Sequence, residues 1–173
     1  MDEILLQRIL NKDEQAFEDL YNQYSAYANR VALAVTRNSA LASDAVQETF
    51  IRVYYNMDKF KSDSPFEPWF YRILVNECKR ILSRRPPVSY ISEYLENELD
   101  ISHKETHVFE EYEDLYQEIE KLSDKLRIPI VLKYLKGFKE KEIAEILNLK
   151  VNTVKSRLYK GRQKLKDAMT DLK

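Results

Sequence analysis

Lys155, Ser156, Tyr159, Lys160 and Arg162 fall on one side of a segment whose other side carries Val154, Leu158 and Leu165 at helical intervals. Ammonium and guanidinium groups neutralise phosphate and side-chain donors read base edges, so this face suits the major groove of DNA. The chemistry is recognition, with no covalent bond made or broken. The same pattern also describes a solvated helical surface, and paired helices of this kind also serve as plain packing units. Charge favours recognition. Residues 115 to 173 hold 15 Lys+Arg against 8 Asp+Glu, residues 86 to 114 hold 1 against 9, and residues 1 to 85 hold 12 of each. A formal net charge of −1 therefore conceals a basic end, an acidic middle and a balanced start.

Covalent and metal chemistry find little support. His103 and His107 are four apart, but HKETH has Lys where the two-histidine metalloprotease motif needs Glu. Both lie in the acidic middle, and no metal site is expected there. The single cysteine, Cys78, sits on the apolar run ILVNEC, which suits a buried small residue better than a nucleophile. It also rules out an internal disulfide. With no nucleophile and base pair and no phosphate-gripping glycine loop, the sequence argues against an enzyme and for no cofactor. No run approaches the roughly 18 to 20 apolar residues that span a bilayer. The start MDEILLQ lacks the basic opening of a signal peptide, so a cytoplasmic protein that is not itself membrane-bound is expected.

The elements that must position the basic face are helical. Only Gly137 and Gly161 occur, fewer than sheets and their turns normally use. The fold class expected is all-α, with two small helical domains joined by an acidic linker and a helix-turn-helix in the second. Phe17, Leu20, Tyr21, Tyr24, Ala28, Val31 and Val35 form a stripe on a helix opening near Asp13 and ending about Arg37. A second helix is predicted from about Ala40 to Met57, with Leu41, Ala45, Val46, Phe50, Val53 and Tyr54 inward and Asp44, Gln47, Glu48 and Arg52 mostly outward. Phe60 to Phe66 reads as a loop. Pro68 is placed at the first position of a helix running to about Ser83, because a proline deeper in would lack a needed donor. Trp69, Arg72, Asn76, Lys79 and Arg80 recur along one side of it. The pair Pro86 and Pro87 ends it.

Domain boundaries follow from this pattern: 1–85, an acidic linker at 86–111, and 112–173. In the last part Leu115, Ile119 and Leu122 mark one helix and Leu126, Ile130, Tyr134 and Leu135 the next, with Pro129 expected to delay or bend it. Ile143, Ala144 and Leu147 precede Asn148, a residue type that tolerates the left-handed conformation of a tight helix exit.

Two stretches together carry a family likeness. DAVQETFIRVY (Asp44 to Tyr54), DKFKSDSPFEPWFYRILVNECKRIL (Asp58 to Leu82) and the exit RRPP match in the first domain; LRIPIVLKYLKGFKEKEIAEILNLKVNTVKSRLYKGRQKL (Leu126 to Leu165) matches in the second. The chain resembles bacterial RNA polymerase sigma factors of the extracytoplasmic-function (ECF) group of the sigma-70 family. That resemblance implies a transcription initiation factor with a region 2 domain and a region 4 domain. It implies core polymerase as partner, through the clamp helices of the largest subunit and the flap of the second-largest, and promoter DNA. It also implies an anti-sigma protein, often membrane-bound. Asp44, Gln47, Glu48 and Arg52 align with the main polymerase contact. Lys61, Ser62, Asp63, Ser64 and Phe66 align with the loop that captures an unstacked minus-ten base, and Trp69, Arg72, Asn76, Lys79 and Arg80 with the stripe beside it. Trp69 fits either a core indole or a stacking platform. Lys133, Lys155, Ser156, Arg157, Tyr159 and Lys160 align with positions that contact the minus-thirty-five element. Lys150 stands where relatives usually have Ser or Pro, and Asn152 is taken as the N-cap instead. The competing class is a helix-turn-helix regulator that binds promoters without replacing the housekeeping specificity factor. Such a regulator needs a ligand or receiver module, and none is visible in the first domain.

Overall fold

Asp13 opens the first long helix as the pattern requires: its side chain accepts from the Ala16 N–H at 3.2 Å, while Arg8 donates to the same carboxylate at 2.7 Å. These contacts, that from Arg8 foremost, hold the Asp13 carboxyl below its ordinary range. The structure is a computed structural model and describes residues 3–60, 64–84 and 113–171. Among them are eight α-helices: α1 (Glu3–Leu10), α2 (Glu14–Thr36), α3 (Ser39–Asn56), α4 (Phe66–Ser83), α5 (Glu113–Lys121), α6 (Asp124–Tyr134), α7 (Glu140–Leu147) and α8 (Val151–Asp171). A short 3₁₀ turn, Met57–Lys59, follows α3. The linker at 86–111, with His103 and His107, lies outside the described residues.

Helices α2, α3 and α4 pack on one another, and α1 lies against α2. Leu20, Val31, Val53, Phe70 and Leu74 fill the space between them. Tyr21 and Tyr54, read as inward-facing, keep 45% and 41% of their surface exposed, because they sit at the edge of the stripe. Arg37 ends α2 in the left-handed conformation, with φ 55° and its N–H on the Leu33 carbonyl at 2.7 Å. Asn38 then caps α3 through the Leu41 N–H at 2.8 Å.

Helix α4 begins at Phe66, two residues before the predicted start at Pro68. The donor that Pro68 lacks is not needed: the first four N–H groups of a helix have no intrahelical partner, so a proline in its third position sacrifices nothing. The energetic reward for the longer helix is burial of Phe66, which is 3% exposed.

In the second set α6 packs on α8, with α5 and α7 also against α8. Pro129 lies within α6 and does not delay its start at Asp124. Gly137, at φ 79°, turns the chain toward α7 in a conformation that a side chain would strain. Glu142 accepts from the Lys139 N–H at 2.6 Å at the start of α7. Asn148 closes that helix at φ 52° and ψ 54°, and the Leu149 N–H reaches back to the Ala144 carbonyl at 2.9 Å. Lys150, rather than Asn152, stands at the entrance to α8: its carbonyl accepts from Thr153 and Val154 at 2.9 and 3.2 Å, and Asn152 is the helix's second residue.

The two sets pack together. Arg127 on α6, 1% exposed, reaches the end of α2, where Nε donates to the Ala34 carbonyl at 2.7 Å and Nη2 to the Val35 carbonyl at 3.0 Å. Those carbonyls belong to the negative end of the helix dipole, where a cation is favoured. Arg127 Nη1 and Arg37 Nη2 converge on the Leu122 carbonyl at 2.9 and 2.8 Å. Lys136 lies over the rings of Tyr27 and Tyr71, 4.7 and 5.4 Å from their centroids, and 3.4 Å from Glu67. Tyr71 meets Phe138 edge-on at 5.3 Å.

Candidate nucleic-acid interface

Helix α8 turns its apolar side to α6 and α7: Val154 and Leu158 are buried and Leu165 packs against the same core. The opposite face is thereby left outward, with Lys155, Ser156, Tyr159 and Lys160 exposed and Arg157 half-buried. Tyr159 keeps 58% of its surface. Lys133 on α6 is half-buried. Nearby, the Arg162 guanidinium donates to the Tyr134 hydroxyl at 3.2 Å. Gly161, which on helix propensity alone weakens α8 by up to about 1 kcal/mol, is buried. A Cβ there would lie 2.9 Å from Ile130 Cγ1, so glycine permits α6 and α8 to approach.

The second candidate surface is on α4. Arg72, Asn76 and Lys79 are exposed along it, whereas Arg80 is half-buried. Lys61, Ser62 and Asp63 lie outside the described residues, and Ser64 is exposed. Phe66 points inward, among the rings of Tyr24, Phe60, Trp69 and Phe70. Trp69 is half-buried, 5.2 Å from Phe60 and 5.7 Å from Phe66 between ring centroids. Its indole thus has one side in the core and a remainder in solvent. Cys78 is fully buried, and desolvation pushes its thiol up to about 12. It is a packing residue.

On α3, Asp44, Gln47 and Arg52 are exposed and Glu48 is half-buried. The structure joins this face to the end of the α4 stripe. Glu77, 4% exposed, receives Arg52 Nε on one oxygen and Arg80 Nε on the other, each at 2.6 Å. Arg80 Nη2 also approaches Glu48 at 3.4 Å. Sequence reasoning passed over Glu77. The available signal was a carboxylate on the buried side of the helix, three residues before an arginine.

The sigma-70 region 2 family model matches residues 20–86, and the sigma-70 region 4 model matches residues 112–165. The chain belongs to the sigma-70 family. It is 35% identical to the ECF RNA polymerase sigma-E factor of Escherichia coli (strain K12), across 99% of this chain and 95% of that one. It is 32% identical to the sigma-E factor of Haemophilus influenzae, across 99% and 96%. Among solved structures, CnrH in complex with the cytosolic domain of CnrY superposes with a TM-score of 0.74 at 24% identity, covering 98% of this chain and 97% of that one. The sigma factor RpoE in complex with the anti-sigma factor NepR, from Bartonella quintana, gives 0.66 at 20%, covering 88% and 98%. Those two likenesses concern the fold. In this sigma factor the region 2 match takes in α3 and α4, and the region 4 match takes in α6, α7 and most of α8, a helix-turn-helix.

Proposed function

We propose that this ECF sigma factor binds core RNA polymerase and directs it to promoters, region 2 capturing unstacked minus-ten bases and region 4 reading the minus-thirty-five element. The observation that carries the reading is the order of two family regions on one chain, with the cations of α8 turned away from their own core. Lys155, Ser156, Tyr159 and Lys160 enter the major groove, and Arg157 and Lys133 supply flanking contacts. Arg72, Asn76, Lys79 and Arg80, with the loop before α4, meet the melted strand, and Phe66 anchors the start of α4 in the core. Trp69 offers its exposed edge to a base. Asp44, Gln47, Glu48 and Arg52 face the polymerase clamp helices, where charge pairs set register more than affinity; region 4 meets the flap.

The protein acts as an initiation factor, leaving catalysis to the polymerase, and works in the cytoplasm. Among the described residues no helix is long and apolar enough to cross a membrane. An anti-sigma protein is a further partner, supported by the complexes in which two similar folds were solved. The test is transcription by core polymerase reconstituted with the full chain, mapping RNA 5′ ends. Defined start sites with shared upstream sequences are expected. No promoter-directed RNA from several core preparations would refute the proposal.

A further inference from the structure

Glu77 belongs to neither proposed surface yet touches both. It projects from α4 into the seam with α3, and its two oxygens are divided between guanidinium groups from the two helices: Oε1 takes Arg52 and Oε2 takes Arg80. Burial makes this division consequential. The Glu77 side chain is 6% exposed, whereas those of Arg52 and Arg80 are 47% and 27% exposed. Only the carboxylate is committed to the interior. The arginines are anchored by the carboxylate while their side chains stay partly exposed. Such a buried carboxylate is retained only with its partners, because removing them leaves an uncompensated charge. Arginine suits the arrangement because its planar fork can hold an internal oxygen through one edge while another N–H faces a carboxylate or phosphate.

We propose that Glu77 is a positioning residue, orienting Arg52 toward polymerase and Arg80 toward the promoter strand so that the two contacts are energetically linked through one carboxylate. The inference rests on the reading of Arg52 and Arg80 given above. Glu77 itself touches neither partner. Its effect passes through the two guanidinium groups, and linkage requires that what happens at one be felt equally at the other. Glu48, 3.4 Å from Arg80, lies on the polymerase-facing helix and adds a second connection between the surfaces.

The experiment is a set of mutant cycles in the full chain. E77Q keeps the volume but has a single acceptor oxygen, so only one arginine retains its partner. E77A removes both, and thermal unfolding of each variant records any general loss of stability. Core affinity is measured by competition for fluorescent core polymerase, and strand opening by permanganate reactivity of promoter thymines in the holoenzyme. E77A is expected to weaken core binding about tenfold with Arg52 present and less than twofold in the R52A background, and E77Q to impair only the readout of the arginine that loses its oxygen. Opening should likewise fall in E77A but not fall further in E77A/R80A than in R80A. Additive losses in both cycles, tracking the unfolding midpoint, would show a merely structural carboxylate and overturn the inference alone. Full core affinity in R52A, or full opening in R80A, would overturn the underlying reading and the inference with it.

Discussion

Replacing Arg127 with alanine tests whether the two helical sets are held together as described. The side chain is 2% exposed and carries three hydrogen bonds to carbonyls, two of them across the junction to Ala34 and Val35, and an ion pair to Asp124 at 2.9 Å. The Leu122 carbonyl keeps Arg37 as a donor, so the net loss is concentrated in the two carbonyls ending α2. Hydrogen bonds to a charged donor contribute about 1.5–3 kcal/mol each, and two that share a side chain are not additive, which gives about 3 kcal/mol for the junction. That is roughly a hundredfold in the ratio of joined to separated arrangements. Spin labels at Glu14→Cys and Gln163→Cys report the distance between α2 and α8. Cys78 need not be replaced, being buried with its thiol raised to about 12. A single narrow distance distribution is expected with Arg127, and a broad one in R127A. R127K should recover only part of the effect, because an ammonium lacks the planar fork that spans both carbonyls. If R127A leaves both the distance distribution and the unfolding midpoint unchanged, the contacts of Lys136 and Phe138 suffice and the reasoning is wrong.

Tyr71 places a fully buried hydroxyl where no hydrogen-bond partner among the described residues meets it, so Y71F should raise stability by about 1 kcal/mol in denaturant unfolding while preserving the ring contacts with Phe138 and Lys136. G161A sets a helix-propensity gain of about 1 kcal/mol against overpacking of about 1–3 kcal/mol at Ile130; a lower melting temperature is expected, partly restored by I130V. Cys78 should resist thiol reagents at pH 8 until the protein unfolds, since a thiol raised to about 12 offers little thiolate and burial blocks access; rapid labelling of the folded chain would contradict its placement. K155A and K160A should each weaken promoter binding by about 1–3 kcal/mol if the lysine reads a base edge, measured by holoenzyme competition on mutated upstream elements.

Where local rules suffice, the sequence was a reliable guide. Asp13 and Arg37 bracket α2 as expected, and Asn148 takes the left-handed exit, because capping depends on residues within a few positions. The start of α4 was displaced because Pro68 was judged as an interior proline, although the first helical turn makes no demand on its missing N–H. Helix α1 passed unremarked: eight residues give too little periodicity beside the longer pattern that follows. Burial of charge was harder still. Arg127 follows Lys125 and Leu126 in a segment that reads as a half-solvated helix, and the two acceptors it meets across the junction lie more than 90 residues away in sequence. Glu77 likewise depends on α3 arriving beside α4. The exposed face of α8 was legible because its apolar side must seek the core, which leaves the opposite side for solvent or DNA.

The acceptors that meet Arg127 are main-chain oxygens, a group every residue type possesses. Substitution at positions 34 or 35 can change a side chain but cannot delete the carbonyl, provided the helix survives. The donor half has no such insurance: among the twenty side chains, only one supplies that planar fork. As far as this contact is concerned, mutational drift is therefore limited only by packing on one bank of the junction and confined by the contact itself on the other.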